Sequence, residues 1–162
     1  MSDDTYLIKA ADIAALEGLK KVHFLNSNAQ RVNKSLGDLT GITGFGFHII
    51  EVAPGFETTE FHMHHNEDEC VYVLEGKASA EIGDEKLEIG PGDFIGYRKG
   101  GLAHTIRNTG DQTLRCVVVG QRLDQDIGDY PRLEKRLYRS SGKDWDLVDR
   151  KNITNPKGAG GK

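Results

Sequence analysis

The chain has 162 residues, of which 37% are hydrophobic, and its 21 basic and 25 acidic residues give a net charge of −4. One domain is typical of this length, and the hydrophobic content excludes a chain that is disordered throughout. The charge is unlike that of a nucleic-acid-binding surface, and the apolar runs fall far short of the ~20 residues that cross a bilayer. We therefore expect neither a nucleic acid nor a membrane as a partner.

The N-terminus is acidic, with Asp3 and Asp4, and lacks the basic and apolar segments of a signal peptide. We therefore expect a cytoplasmic protein. In that compartment Cys70 and Cys116 are expected to be reduced thiols in strands rather than a disulfide.

The N-terminal quarter of the chain carries the one helical pattern. From Ile8 to Lys20 apolar residues recur near helical spacing, which predicts a short helix. Residues 1–40 are predicted to form an extension that packs on the domain that follows.

Glycines separate short apolar runs between residues 41 and 122, at intervals of roughly 8–12 residues that are typical of an all-β sandwich or barrel. We predict that this segment is the barrel. The predicted strands are Phe45–Val52, Thr59–His64, Glu69–Leu74, Lys77–Ile82, Lys86–Ile89, Phe94–Tyr97, His104–Asn108 and Leu114–Gly120.

The C-terminal part is predicted to be an extension over residues 123–153 and a flexible tail over 154–162, which has no apolar anchor. Within the extension, the polar segment Asp124–Pro131 is interpreted as turns. Lys135–Arg139 and Trp145–Val148 are predicted to pair as a hairpin.

One predicted strand has specialised residues on both faces. Strand alternation places Glu60, His62 and His64 on one face and Phe61 and Met63 on the other. Such a strand is covered on both sides, either by the terminal segments or by a second copy of the chain. We favour a homodimer.

A cluster of histidines lies on and beside this strand. His62 and His64 are two residues apart, so both imidazoles point to one side at a separation that suits a single metal ion. His65 points the other way unless the strand bulges. Glu69 can return on the neighbouring strand, and His104 stands alone further along the chain.

These residues resemble the first motif of the cupin family, which is Gly, five residues, His-x-His, three or four residues, Glu, six residues, Gly. The chain has Gly55, His62, His64, Glu69 and Gly76, with one extra residue after the first glycine. A loop or bulge absorbs such an insertion.

The second cupin motif is Gly, five residues, Pro-x-Gly, two residues, His, three residues, Asn. The chain has Gly92, Lys99, Gly101, His104 and Asn108, again with one extra residue after the first glycine. Lys99 stands where the family usually has proline, so the turn is less rigid, but no ligand is lost.

The resemblance implies an all-β fold, a small double-stranded β-helix or jelly-roll barrel. It also implies that His62, His64, Glu69 and His104 face inward around one divalent metal ion, which is the cofactor we expect. Three imidazoles and a carboxylate suit Fe, Mn, Co, Ni, Cu or Zn.

Three functions are compatible with such a site. The first is an isomerase or epimerase of a sugar or sugar phosphate, in which Glu60 is a candidate base and Arg98 or Lys99 a candidate anion contact. The second is an Fe(II) dioxygenase of a small organic substrate, and the third is a non-catalytic protein that binds a small molecule or metal. A lining rich in Lys, Arg, Asn and Gln favours the first, and an aromatic lining the second. His23 and His48 are outside both motifs and are interpreted as ordinary structural or surface histidines.

Overall fold

The computed structural model describes residues 5–156, which form antiparallel strands with little helix, so the prediction of an all-β fold is confirmed. Two short helices are α1 (Ala10–Ala15) and α2 (Leu36–Leu39). No helix among these residues is long and apolar enough to cross a membrane. The strands are β1 (Leu19–His23), β2 (Asn26–Ser35), β3 (Phe45–Val52), β4 (Met63–His64), β5 (Glu69–Glu75), β6 (Ala78–Ile82), β7 (Glu85–Ile89), β8 (Phe94–Tyr97), β9 (His104–Asn108), β10 (Leu114–Gln121), β11 (Gln125–Tyr130), β12 (Lys135–Ser140) and β13 (Asp146–Asp149). Single 3₁₀ turns lie at Pro131–Leu133 and Arg150–Asn152.

The strands form three antiparallel sheets. The largest has the order β1-β2-β3-β10-β5-β8, and two smaller sheets have the orders β13-β12-β11-β4 and β7-β6-β9. Side chains of the large sheet and of β6 and β9 meet in one apolar core, which consists of Ile50, Val52, Val71, Val73, Ala78, Ala80, Tyr97, Ile106, Leu114 and Cys116.

The inward face of β10 shows how the core gives way to a cavity. Strand alternation turns Leu114, Cys116, Val118 and Gly120 to the same side. Leu114 and Cys116 are completely buried in the core, whereas Val118 and Gly120 line a cavity. One end of the barrel is therefore packed solid and the other is open to a ligand.

The helix predicted from Ile8 to Lys20 is wrong beyond α1. Leu16 is extended, and Gly18 adopts a left-handed φ of +73° that ends any helix and that favours glycine. The chain then enters β1, which pairs with β2 and extends the large sheet beyond β3.

The predicted strand Thr59–His64 is wrong in its first part, because only β4 joins a sheet. Upstream, side chains take the backbone carbonyls that a neighbouring strand would have used. The Arg31 guanidinium donates to the Thr58 carbonyl. The Thr105 hydroxyl donates to the Thr59 carbonyl at 2.8 Å.

The C-terminal prediction is right in one part and wrong in another. The hairpin is confirmed as β12 and β13, but Asp124–Pro131 contains a strand, β11, which pairs with both β12 and β4. Cys70 and Cys116 are free thiols in β5 and β10, as predicted. The tail predicted over 154–162 lies largely outside the described residues.

Candidate functional site

A cavity of about 430 Å³ opens between the large sheet and strands β4, β9 and β11. That volume is within the range of ~300–1,000 Å³ that holds small-molecule ligands. On the large sheet, the lining residues are Lys21, Val22, His23, Ala29, Arg31, Asn33, Gly46, His48, Ile50, Glu69, Val71, Tyr97, Val118, Gly120 and Gln121, and all of them except Val22 and Gln121 follow strand alternation.

The four residues expected to hold a metal all line this cavity. His62 and His104 form a bridge between neighbouring backbone segments, His64 lies on β4, and Glu69 begins β5. The Nε2 atoms of His62 and His64 are 3.1 Å apart, and Nε2 of His104 is 3.7 Å from Oε1 of Glu69. Ligand atoms of His62, Glu69 and His104 lie within 4.8 Å of one another.

Backbone carbonyls orient two of the imidazoles. Nδ1 of His62 donates to the carbonyl of Glu60 at 2.9 Å, and Nδ1 of His104 donates to that of Leu102 at 3.2 Å. Because Nδ1 carries the proton in each ring, the lone pair lies on Nε2, which faces the cavity.

A carboxylate orients the third imidazole. Nδ1 of His64 donates to Oδ2 of Asp126 at 2.6 Å, which directs Nε2 toward the cavity. The buried Asp126 also accepts the backbone N–H of Asn66 at 3.0 Å and is thereby fixed. The sequence did not predict a role for Asp126, because its segment shows no strand alternation and was predicted to form turns.

The donor atoms fit a divalent metal ion on two observations. Nε2 of His104 is buried without a hydrogen-bond partner among the described residues. Nε2 of His62 and Nε2 of His64 both lie at the cavity and are only 3.1 Å apart. Nitrogens bound to one ion at ~2.1 Å are about 3 Å apart when they are adjacent ligands.

The protonation states of Glu69 and His62 also suit metal binding. Burial raises the pKa of Glu69, but the nearby imidazole of His104, followed by those of His62 and His64, outweighs burial and lowers this pKa to about 2. Burial, with the neighbouring charge of His64, lowers the pKa of His62 to about 3. At neutral pH the carboxylate is therefore ionised and His62 is neutral.

Neighbouring residues that could ligate a metal have other partners. His65 points away from the cavity, and its Nε2 is 3.1 Å from Oδ2 of Asp129. Glu67 is close to His64 and Asp126, but it binds the Arg139 guanidinium and accepts the Leu123 N–H at 2.6 Å. These partners hold the cavity wall together.

Three candidates for substrate contact lie outside the cavity lining. Glu60 is buried but does not line the cavity, so the structure gives it no position as a base there, and its carbonyl orients His62 instead. Arg98 and Lys99 are exposed on the turn before His104 and do not line the cavity either. The backbone N–H of Lys99 donates to Asp68, which keeps this turn outside.

Two cations of the cavity, Lys21 and Arg31, come from the segment predicted as an N-terminal extension. Arg122 and Arg139 also line the cavity, as do the half-buried His48 and His23. The alternation of Ala29, Arg31 and Asn33 on β2 was the sequence signal that could have predicted a strand lining the cavity.

Comparisons with known proteins identify the family. Residues 48–120 match a family model described as a Cupin domain. A crystal structure from Acidithiobacillus ferrooxidans, of a protein named "putative sugar phosphate isomerase", is 50% identical to this chain, with a TM-score of 0.89 over 92% of this chain and 95% of that one. The chain belongs to the cupin family. The prediction of a cupin-type jelly-roll barrel is thereby confirmed.

Two more distant structures share the fold alone. One, named a sugar phosphate isomerase from a cupin superfamily, comes from Silicibacter pomeroyi and is 22% identical, with a TM-score of 0.77 over 87% of this chain and 92% of that one. The other, a predicted oxalate decarboxylase from Thermotoga maritima, is 19% identical, with a TM-score of 0.56 over 68% and 96%. A comparison with curated proteins found no match.

Proposed function

We propose that this cupin is a metal-dependent isomerase or epimerase of a sugar or sugar phosphate, with one divalent ion held by His62, His64, Glu69 and His104. The observation that carries the proposal is the shared cavity, in which this donor set lies beside a wall of cationic and amide side chains. The name of the relative at 50% identity supports the same substrate class.

The reaction needs no oxidant. Interconversion of an aldose and a ketose moves one hydrogen between neighbouring carbons and one proton between their oxygens. A divalent ion held by the four ligands would supply Lewis acidity toward the carbonyl and hydroxyl oxygens of the substrate, which would lower the pKa of the proton on the carbon between them.

Tyr97 is suited to orient the substrate. Its ring lies beside His104, its hydroxyl is buried, and that hydroxyl has no hydrogen-bond partner among residues 5–156. Burial, followed by the charge of Glu69, raises the pKa of Tyr97, so the phenol is neutral and able to donate. We infer that it donates to a sugar oxygen next to the metal ligands.

The test combines metal analysis with proton exchange. The wild type is expected to contain about one equivalent of metal and to incorporate deuterium at a carbon next to the carbonyl of a sugar phosphate in D₂O. Both signals are expected to be lost in His64→Ala and retained in His65→Ala, the adjacent imidazole outside the cavity. Metal with oxygen uptake and no exchange would contradict the proposal and indicate a dioxygenase, whereas no reaction would indicate a binding protein.

We also propose that the protein is a cytoplasmic homodimer. The free thiols of Cys70 and Cys116 suit a reducing compartment. On the outer face of the large sheet, Tyr72 and Phe94 are direct cross-strand partners and are 43% and 66% exposed. Light scattering is expected to give twice the chain mass for the wild type and a lower mass for Tyr72→Ser combined with Phe94→Ser, while a monomeric wild type would contradict this proposal.

A further inference from the structure

Four nitrogen-bearing side chains line the cavity on the side of the N-terminal strands. Lys21 of β1 and Arg31 of β2 are direct partners in the strand register. His48 on β3 and Arg122, just after β10, complete the group. Each comes from a different part of the large sheet, so the fold itself brings the group together.

The two cations on the N-terminal strands are available to a ligand. Within residues 5–156, neither Lys21 nor Arg31 forms an ion pair. Arg31 uses one terminal nitrogen on the carbonyl of Thr58, but its Nε is buried without a partner. A buried N–H without an acceptor is costly, and an anion in the cavity would supply one.

The other two members add donors. Asn33 donates from its amide to Nδ1 of His48 at 3.2 Å, which places the imidazole proton on Nε2. That Nε2 lies over Gly46, only 2.5 Å from the position of a Cβ there. Arg122 donates to the exposed Asp38 at 2.5 Å, and its Nε also lies near Gly46. The bare backbone of Gly46 thus leaves room for these nitrogens.

The distance from this group to the metal ligands suits a phosphorylated sugar. Glu69 is opposite Gly120 in one strand pair, and Gly120 is opposite Gly46 in the next. Two strand spacings are about 10 Å. At ~1.5 Å per bond, an ester of five or six carbons spans roughly this length. No side chain from the two glycines obstructs the path.

We propose that Lys21, Arg31, His48 and Arg122 form a subsite for the phosphate of a phosphomonoester substrate. The inference deepens the proposed function and rests on it for the identity of the rest of the substrate. It assigns the sugar oxygens to the metal ligands and the phosphate to the N-terminal strands.

The electrostatic environment supports this assignment. Burial lowers the pKa of Lys21, and the nearby charges of Arg31 and Arg122 lower it further, whereas Asp38 acts in the opposite direction. Cations crowded in a partly closed cavity repel one another. A doubly charged phosphate relieves that repulsion, and the walls of the cavity strengthen its attraction.

Neighbouring lysines on β1 offer a matched pair of variants for the test. Both lysines are exposed, but only Lys21 lines the cavity. The single tryptophan, Trp145, also lines the cavity, so its fluorescence reports binding. Inorganic phosphate is titrated into metal-free wild type, Lys21→Gln and Lys20→Gln at constant ionic strength, and calorimetry checks the affinities.

We expect Lys21→Gln to weaken phosphate binding about tenfold and Lys20→Gln to leave it unchanged, since one charged contact is removed only in the first. Equal affinities in all three proteins, an equal loss in both variants, or no binding to the wild type would each overturn the subsite.

Proton exchange then separates this inference from the proposed function. Phosphate binding that depends on Lys21, without deuterium incorporation into any sugar phosphate, would leave the subsite standing while the isomerase proposal fails. Conversely, equal exchange with phosphorylated and unphosphorylated sugars, unchanged in Lys21→Gln, would support the isomerase and overturn the subsite.

Discussion

Tyr97 lies flat against His104, with ring centroids 3.5 Å apart and an interplanar angle of 3°. Both residues are buried, and each has a polar atom without a hydrogen-bond partner among the described residues, the hydroxyl of Tyr97 and Nε2 of His104. The stack fixes the plane of the imidazole and so the direction of its lone pair. Tyr97 is therefore expected to influence metal affinity without being a ligand.

Removal of this stack is expected to weaken metal binding. Tyr97→Leu loses the aromatic surface, and we expect its metal affinity to fall by about tenfold, as for other residues that orient ligands. Tyr97→Phe keeps the stack and is expected to retain the affinity while losing substrate affinity with the hydroxyl. Competition with a chelator measures the first and substrate titration the second, and equal metal affinity in the leucine variant would refute this role.

Asp126 is likewise expected to increase metal affinity, because it orients the imidazole of His64. In Asp126→Asn, an amide replaces the carboxylate that accepts the Nδ1 proton of His64. Metal affinity is expected to fall by roughly 10–100-fold. Asp124→Asn, an exposed change just before the same strand, is the control. If the two variants bind metal equally, the contact between Asp126 and His64 has no effect on the site.

The ion pair between Asp129 and Arg136 gives a prediction for pH. Two guanidinium hydrogen bonds, of 2.6 and 2.8 Å, are the main reason that the pKa of Asp129 is lowered to about 2. A carboxylate with a depressed folded-state pKa stabilises the fold above its unfolded pKa of ~3.9, and this contribution is lost as the pH falls toward 2.

Denaturant unfolding with chelator present tests this prediction. Asp129→Asn is expected to lower the free energy of unfolding by about 1–2 kcal/mol at pH 7, after allowance for solvent screening. The difference from the wild type is expected to shrink between pH 4 and pH 2. A difference that stays constant across this range would show that the asparagine variant acts through packing instead.

Two glycines that face each other in the large sheet are expected to differ in their tolerance of a methyl group. A Cβ at Gly46 would lie 2.5 Å from Nε2 of His48, so Gly46→Ala must displace that ring and its bond to Asn33. A Cβ at Gly120 meets Glu69 at 3.6 Å, which is ordinary contact. Phosphate affinity is therefore expected to fall in Gly46→Ala and to persist in Gly120→Ala, with both variants folded by circular dichroism, and the reverse order would be inconsistent with the proposed subsite.

The sequence was sufficient to predict the barrel and to bring the four candidate ligands to one cavity, because both depend on residue spacing. His62 and His64 lie two residues apart, and the other two stand at family distances in strands with clear apolar patterns. The contact of Asp126 with His64 could not be predicted, because β11 combines buried aspartates with a glycine and has no apolar alternation.

The part of the cavity lining that β1 and β2 provide was not predicted from the sequence, for a related physical reason. Strands are recognised by an apolar inward face, but β2 directs Arg31 and Asn33 inward toward the cavity. Its polar sequence therefore resembled a surface segment. Arg31, which is proposed to contact phosphate, is thus one of the residues whose polarity concealed the strand.

One end of β10 is packed in the core and the other lines the cavity, and this difference separates two kinds of evolutionary change. At Leu114 and Cys116 a new side chain must fit a filled interior, so substitutions there act on folding. At Gly120 the same strand borders open space, and a substitution there can reshape the ligand's surroundings with little effect on the packed end, whereas Val118 touches both the cavity and the core. A descendant of this chain could thus acquire a new substrate by altering one half of a strand while the other half preserves the fold.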